Sequence, residues 1–208
     1  VYLPVAGLLV GALWALAAYA LGSFDRLPAL RAAVLAALPF LLTGFLHLDG
    51  FMDCCDAILS RRDLPTRQKI LKDSHVGSFA VVMIALLFML QFAAAASVER
   101  CAALMLIPVL SRCGSALCVL RLRPLGHSQY AASDAAPACF TVAVLAQGAL
   151  ALAALGAALG WRGLVVGAAV GGGYALAMRW CVRALGGVSG DLAGFSLTVS
   201  ELCGLVAL

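Results

Sequence analysis

Val76-Gly77-Ser78-Phe79-Ala80-Val81-Val82-Met83-Ile84-Ala85-Leu86-Leu87-Phe88-Met89-Leu90-Gln91-Phe92-Ala93-Ala94-Ala95-Ala96-Ser97-Val98 runs for 23 residues without a charged side chain. An α-helix advances about 1.5 Å per residue, so about 20 such residues cross the roughly 30 Å hydrocarbon core of a bilayer. Lipid offers no partner for a bare backbone N–H or C=O, so an isolated stretch of this kind crosses as a helix. Six more apolar stretches run near residues 3 to 22, 29 to 48, 101 to 120, 138 to 160, 163 to 185 and 192 to 208. The last is the shortest. The chain is expected to be all-α: a polytopic integral membrane helical bundle, with about six to seven transmembrane helices and short loops, forming a single domain over residues 1–208.

Composition agrees. Of 208 residues, 64% are hydrophobic and 12% charged, where soluble domains run about 45–50% apolar and about 25% charged. Nucleic-acid binders, secreted disulfide scaffolds and disordered tails are excluded on that ground, and a lipid bilayer is the expected surrounding. The net charge of +4 is what the loops of a membrane protein commonly carry. Only Cys54 and Cys55 of the eight cysteines are close in sequence, with no C-x-x-C, so they are read as small packing residues. Val1 follows neither a methionine nor a basic leader, so the native N-terminus is expected to lie further upstream. Gly167 to Gly171 forms a G-x-x-x-G pattern, expected to let a neighbouring helix approach closely.

With the loops alternated across the membrane, ten of the fourteen basic residues fall on one side: Arg61, Arg62, Arg67, Lys69, Lys72, Arg112, Arg121, Arg123, Arg179 and Arg183. Arg26, Arg31, Arg100 and Arg162 fall on the other. The positive-inside rule makes the first face cytoplasmic. Nearly all the polar chemistry sits there.

His47-Leu48-Asp49-Gly50-Phe51-Met52-Asp53-Cys54-Cys55-Asp56 is expected to close the second span. In a continuing helix Asp49, Asp53 and Asp56 are spaced i, i+4 and i+7 and share one face. Three crowded carboxylates at a membrane boundary repel one another and call for a cation. An oxygen-only set suits Mg²⁺ or Mn²⁺, which bind a few carboxylates and complete their shell with water and substrate phosphates. Beyond it, Asp63 before Leu64-Pro65 reads as the cap of a short helix running to Ile70 and Leu71 and carrying Arg67, Lys69 and Lys72. Cations there suit lipid headgroups or substrate phosphates alike. Asp73 stands next to Lys72, close enough to fold back on the first cluster as a fourth carboxylate. An Asp73 that only paired with Lys72 would be a surface feature.

Carboxylates, magnesium and cations at a membrane surface describe phosphoryl transfer. The metal neutralises a diphosphate and a carboxylate takes a proton from the attacking hydroxyl. G-x-x-x-x-G-K-[ST], G-x-S-x-G and H-E-x-x-H are all absent.

His47-Leu48-Asp49-Gly50, Asp53, Asp56, Asp63, Arg67 and Lys72-Asp73-Ser74-His75-Val76-Gly77 together resemble the signature of the cobalamin synthase (adenosylcobinamide-GDP ribazoletransferase) family. Pro108-Val109-Leu110-Ser111-Arg112 is similar to its fourth-span motif, and Gly186-Gly187-Val188-Ser189-Gly190-Asp191 with Ser200-Glu201-Leu202 to its C-terminal one. The likeness runs from about residue 4 to the end. It implies a catalytic membrane domain that joins adenosylcobinamide-GDP to α-ribazole, or its 5′-phosphate, with Mg²⁺. The products are adenosylcobalamin, or its 5′-phosphate, and GMP, and the enzyme lies in the cytoplasmic (plasma or inner) membrane with its active site facing the cytoplasm. It also implies Asp49, Asp53, Asp56 and Asp73 as metal ligands, Asp73 and Asp56 as catalytic groups, and His47, Arg61, Arg67, Lys72, Ser74, His75, Arg112, Asp191 and Glu201 as substrate or phosphate contacts.

Ala57 and Ser60-Arg61-Arg62 stand where the family often has glycine and a glycine-rich turn. The family also starts with a segment not found before Val1, so an N-terminal piece is expected to be missing. The competing readings are a CDP-alcohol phosphotransferase of phospholipid synthesis and an ion-coupled transporter. Cys54-Cys55 and the Lys72-Asp73-Ser74 ending fit the first poorly. A transporter would spread its acids along several spans. His47, His75 and His127 are too far apart in sequence to read as a metal set, and His127 reads as a loop residue.

Overall fold

The computed structural model describes residues 2–22, 27–122, 125 and 137–208. His127 therefore lies outside the described residues. Nine α-helices are described: α1 (Leu3–Gly22), α2 (Pro28–Leu42), α3 (Leu46–Leu59), α4 (Leu64–Ile70), α5 (Ser78–Ala96), α6 (Ile107–Arg121), α7 (Ala138–Leu159), α8 (Trp161–Leu185) and α9 (Gly190–Ala207), with a 3₁₀ turn at Cys101–Met105 leading into α6. Six segments are long and apolar enough to cross a membrane: α1, α5, Cys101–Arg121, α7, α8 and α9. The bundle is a multi-pass membrane protein. Leu, Val and Phe side chains stand exposed on α1, α5, α7 and α8, the faces that meet lipid.

The second span departs from expectation. The stretch from 29 to 48 is not one helix: α2 ends at Leu42, and α3 leaves it at 92°. Pro39 lies inside α2 and cannot donate to the carbonyl one turn back. That carbonyl, on Leu35, accepts the Trp14 indole N–H of α1 instead, at 2.8 Å. Thr43 then bonds its hydroxyl back to Pro39 and Phe40, and Gly44 and Phe45 both turn left-handed, at φ 59° and 62°. The acidic cluster consequently belongs to a separate helix. Its 14 residues span about 21 Å at 1.5 Å each, too short to cross by itself.

α9 is the central helix, with α3 and α8 packed along it. Leu48, Phe51, Cys54, Cys55 and Ile58 of α3 are buried in the core shared with Leu192, Phe195 and Leu197 of α9. Phe51 stacks on Phe195 with ring centroids 5.3 Å apart. Gly50 permits the closest approach, since a Cβ there would lie 2.7 Å from the Asp191 carbonyl. The expected Gly167–Gly171 contact is only half made: Gly167 faces Leu152 of α7, while nothing lies within 4 Å of a Cβ at Gly171. Backbone-to-backbone packing occurs instead at Gly7 and Gly11 of α1, against the carbonyls of Pro108 and Met105.

The polar loops gather at one end. Gln68 and Arg67 of α4 donate to the Leu185 and Ala184 carbonyls at the end of α8, at 2.7 and 3.2 Å. Those carbonyls would otherwise lack partners. Gly186 closes α8 with φ 88°, and the Leu125 N–H reaches the Val188 carbonyl at 2.7 Å. The turn after α8 thereby carries Asp191 to the flank of α3.

Candidate active site

Asp49 and Asp53 occupy the face of α3 turned away from the core. Asp49 is exposed and Asp53 half-buried. Neither makes a side-chain hydrogen bond or ion pair with a described residue. The negative charges of Asp49, Asp191 and Asp56 all act on Asp53. Four carboxylates from α3 and α9 therefore bear on one place, and without a cation they repel.

Asp56 is used differently. Its carboxylate is buried and accepts the backbone N–H groups of Gly77, at 2.7 Å, and Ala80, at 2.9 Å. These belong to the N-terminus of α5, whose cap residue, Gly77, has no side chain of its own to serve. A carboxylate from another helix supplies the cap. Its charge also suits the positive end of the helix dipole. A Cβ at Gly77 would lie 2.6 Å from Asp56 Oδ1, so a larger residue there would displace the carboxylate from its cap.

The cap fixes the segment just before α5. Lys72, Asp73, Ser74 and His75 all line a cleft of about 280 Å³ whose other wall is Asp49, Asp53 and Asp56. Asp73 lines the same cleft as the first cluster. Its partner is His75 rather than Lys72: His75 Nδ1 lies 2.6 Å from Asp73 Oδ1, and the His75 N–H donates to the same oxygen at 3.1 Å. Hydrogen bonding from His75, side chain first, holds the Asp73 carboxyl below its ordinary range, and the same bond raises the His75 imidazole above its own. Both groups are exposed.

A second cleft, of about 520 Å³, adjoins the first and shares Asp49, Leu71 and Lys72 with it. His47, Ser115, Ser189 and Asp191 line it alongside Leu3, Leu46, Leu125 and Ala193. Ser189 donates to Asp191 Oδ2 at 3.1 Å. Ser115 was not singled out from sequence, and Ser189 was quoted only within the C-terminal motif. Their signals were position: Ser115 is one helical turn beyond Arg112, and Ser189 is two residues before Asp191.

Other expected contacts have other partners. Arg112 is not a loop cation but is buried in α6, where its Nη1 donates to Glu201 Oε1 of α9 at 2.6 Å, and Ser111 joins the same oxygen at 2.9 Å. Burial of both charges makes the pair a tie between the two motif-bearing helices rather than an open phosphate site. Arg67 is engaged with α8, and Arg61 is exposed at φ 53°; neither is among the residues that line these two clefts.

Asp49 and Asp53 make no side-chain hydrogen bond with a described residue and offer carboxylate oxygens of the kind that suits Mg²⁺. Among the described residues no three such side chains already converge as a ready metal site. Mg²⁺ commonly uses one or two carboxylates and completes its shell with water and phosphate, and Asp49 and Asp53 are the residues that could hold it.

The whole chain, residues 1–208, matches the family model described as cobalamin-5-phosphate synthase. It is 36% identical to an adenosylcobinamide-GDP ribazoletransferase of Clostridium botulinum (strain Alaska E43 / Type E3), over 97% of this chain and 82% of that protein. It is 39% identical to one of Stutzerimonas stutzeri (strain A1501), over 99% and 84%, and 32% identical to one of Desulfitobacterium hafniense (strain Y51), over 97% and 82%. No solved structure matches.

Proposed function

Since the chain belongs to the cobalamin-5-phosphate synthase family, we propose that it transfers the adenosylcobinamide phosphate group of adenosylcobinamide-GDP to α-ribazole, or to α-ribazole 5′-phosphate, releasing GMP. The observation that carries this reading is the cleft in which Asp49 and Asp53 of α3 face Lys72 and Asp73 of the following loop. Its polar lining, Asp49, Asp53, Asp56, Lys72, Asp73, Ser74 and His75, is drawn from the residues on which the family resemblance rests.

Asp49 and Asp53 hold Mg²⁺, which when bound neutralises the diphosphate. Lys72 pairs with a phosphate oxygen. A ribose hydroxyl oxygen forms a bond to the cobinamide-bearing phosphorus. The bond from that phosphorus to the bridging oxygen breaks, GMP keeps the electron pair, and the Asp73–His75 pair takes the hydroxyl proton. Asp56 holds the loop that carries Lys72 and Asp73. The membrane is the plasma membrane, and the cleft faces the cytoplasm. Support for that orientation comes from Arg61, Arg62, Lys69, Lys72, Arg121 and Arg183 at the cleft end, against Arg31, Arg100 and Arg162 at the other.

Purified protein given adenosylcobinamide-GDP, α-ribazole and Mg²⁺ is expected to form adenosylcobalamin and GMP, and Asp49→Asn or Asp53→Asn to abolish both. Absence of product from the unaltered protein, or near-normal activity in both variants, overturns the reading.

A further inference from the structure

Two tryptophans set the depth of α8 in the bilayer. Trp161 and Trp180 are 72% and 43% exposed, and the nineteen residues between their positions correspond to about 28 Å of helix. That length matches the roughly 30 Å hydrocarbon core, with one indole at each interface, where tryptophan collects. Arg179 and Arg183 flank Trp180 and therefore lie at headgroup level, at the cleft end of the bundle. Leu176, Arg179, Trp180 and Arg183 are spaced i, i+3, i+4 and i+7 and form one exposed stripe. An apolar turn thus leads outward into an aromatic ring and two guanidinium groups.

Neither arginine pairs with a described residue. The ion pairs among the described residues are His75–Asp73 and Arg112–Glu201, and the Asp63 carboxyl is taken by the Thr66 hydroxyl at 2.5 Å. At the opposite end of α8 the single cation, Arg162, lies over the Trp161 ring at 5.9 Å. The cleft end carries more charge and leaves it open. α4 adds a third guanidinium there: Arg67 Nη1 donates to the Ala184 carbonyl, next to Arg183, while Arg67 Nε is shielded from solvent and has no acceptor among the described residues. Guanidinium groups with unused donors favour an anion that offers several oxygens. Arg67, Arg179 and Arg183 are not among the residues that line the two clefts, so this corner is separate from the carboxylate site.

We propose that the cleft end of α8, with Arg67 of α4, binds an anionic phospholipid: its phosphodiester meets Arg179 and Arg183, an acyl chain lies along Leu176, and Trp180 stands at the glycerol level. A soluble phosphate would gain nothing from the apolar turn that continues the stripe. A zwitterionic headgroup would bring its own cation among three guanidinium groups. The bound lipid braces α4 against the end of α8, and α4 leads directly to Lys72 and Asp73.

Native mass spectrometry of the full chain in detergent reads the first lipid bound, with phosphatidylglycerol and phosphatidylcholine of identical acyl chains as probes. Phosphatidylglycerol is expected to bind at least tenfold more tightly. Arg179→Gln/Arg183→Gln, which alters only exposed side chains, is expected to bring the two lipids within twofold of each other. Arg121→Gln, at the same end of the bundle on α6, is expected to keep the preference. A large excess of glycerol 3-phosphate is expected to displace neither lipid. No preference in the unaltered protein, or a preference that survives in the double variant, overturns the site. A preference lost equally in Arg121→Gln also overturns it, by showing attraction to a whole basic face. Displacement by glycerol 3-phosphate overturns the lipid in favour of a soluble phosphate.

Discussion

Gly77→Ala isolates what Asp56 does. In the folded protein the new methyl would sit 2.6 Å from Asp56 Oδ1, 2.8 Å from Cγ and 2.9 Å from Oδ2. Either the carboxylate swings toward the cleft that it lines or the N-terminus of α5 moves, and in both cases the hydrogen bonds at 2.7 and 2.9 Å stretch or break. A hydrogen bond to a charged group contributes about 1.5–3 kcal/mol and a helix cap about 0.5–2 kcal/mol. Loss of one bond and weakening of the other thus costs about 3 kcal/mol. That is a factor of about a hundred in the local opening equilibrium, at 1.4 kcal/mol per tenfold. The segment released is the one carrying Lys72 and Asp73. Hydrogen exchange of the Ala80 amide in detergent should accelerate by about that factor, and kcat should fall by tenfold or more while the bundle stays folded. An Ala80 amide as protected as before, with kcat unchanged, would refute the capping role of Asp56.

Two further outcomes follow from the same geometry. Asp49→Asn and Asp53→Asn should each abolish turnover even at excess Mg²⁺, whereas Asp56→Asn should lower kcat with the Mg²⁺ concentration for half-maximal activity within a few-fold; a metal titration in which Asp56→Asn needs far more Mg²⁺ than the unaltered protein would make Asp56 a ligand. Arg112→Met leaves Glu201 buried and unpaired and should destabilise the bundle by about 3–5 kcal/mol, read as a loss of thermal stability in detergent, with Arg112→Met/Glu201→Met closer to the unaltered protein than either single change.

The transmembrane helices were legible because an apolar stretch long enough to cross a bilayer has few other folded forms. The break at Thr43-Gly44-Phe45 was not legible, since Phe45 and Leu46 continue the apolar run and hydropathy carries no direction. Pro39 and Gly44 were the available signals. The carboxylates were found from spacing alone, and helical periodicity correctly gave Asp49 and Asp53 one free face. Asp56 lies on the same helix but serves amides 21 and 24 residues onward, a pairing that only the packing of α5 on α3 creates. Arg67, read as a cation for lipid headgroups or phosphate, donates through Nη1 to a carbonyl 117 residues away, a contact that local spacing does not show. Arg112 and Glu201 were recognised as parts of two motifs, but their union across 89 residues depends on α6 and α9 lying side by side.

The bond that breaks tests the central claim most directly. Adenosylcobinamide-GDP labelled with ³²P in the cobinamide-bearing phosphate is incubated with the protein, Mg²⁺ and α-ribazole, and the products are separated. All the label should appear in adenosylcobalamin, with unlabelled GMP released in equal amount and no product from Asp53→Asn. Label in the released nucleotide or in inorganic phosphate, or full transfer by Asp53→Asn, would contradict attack at that phosphorus within the carboxylate cleft.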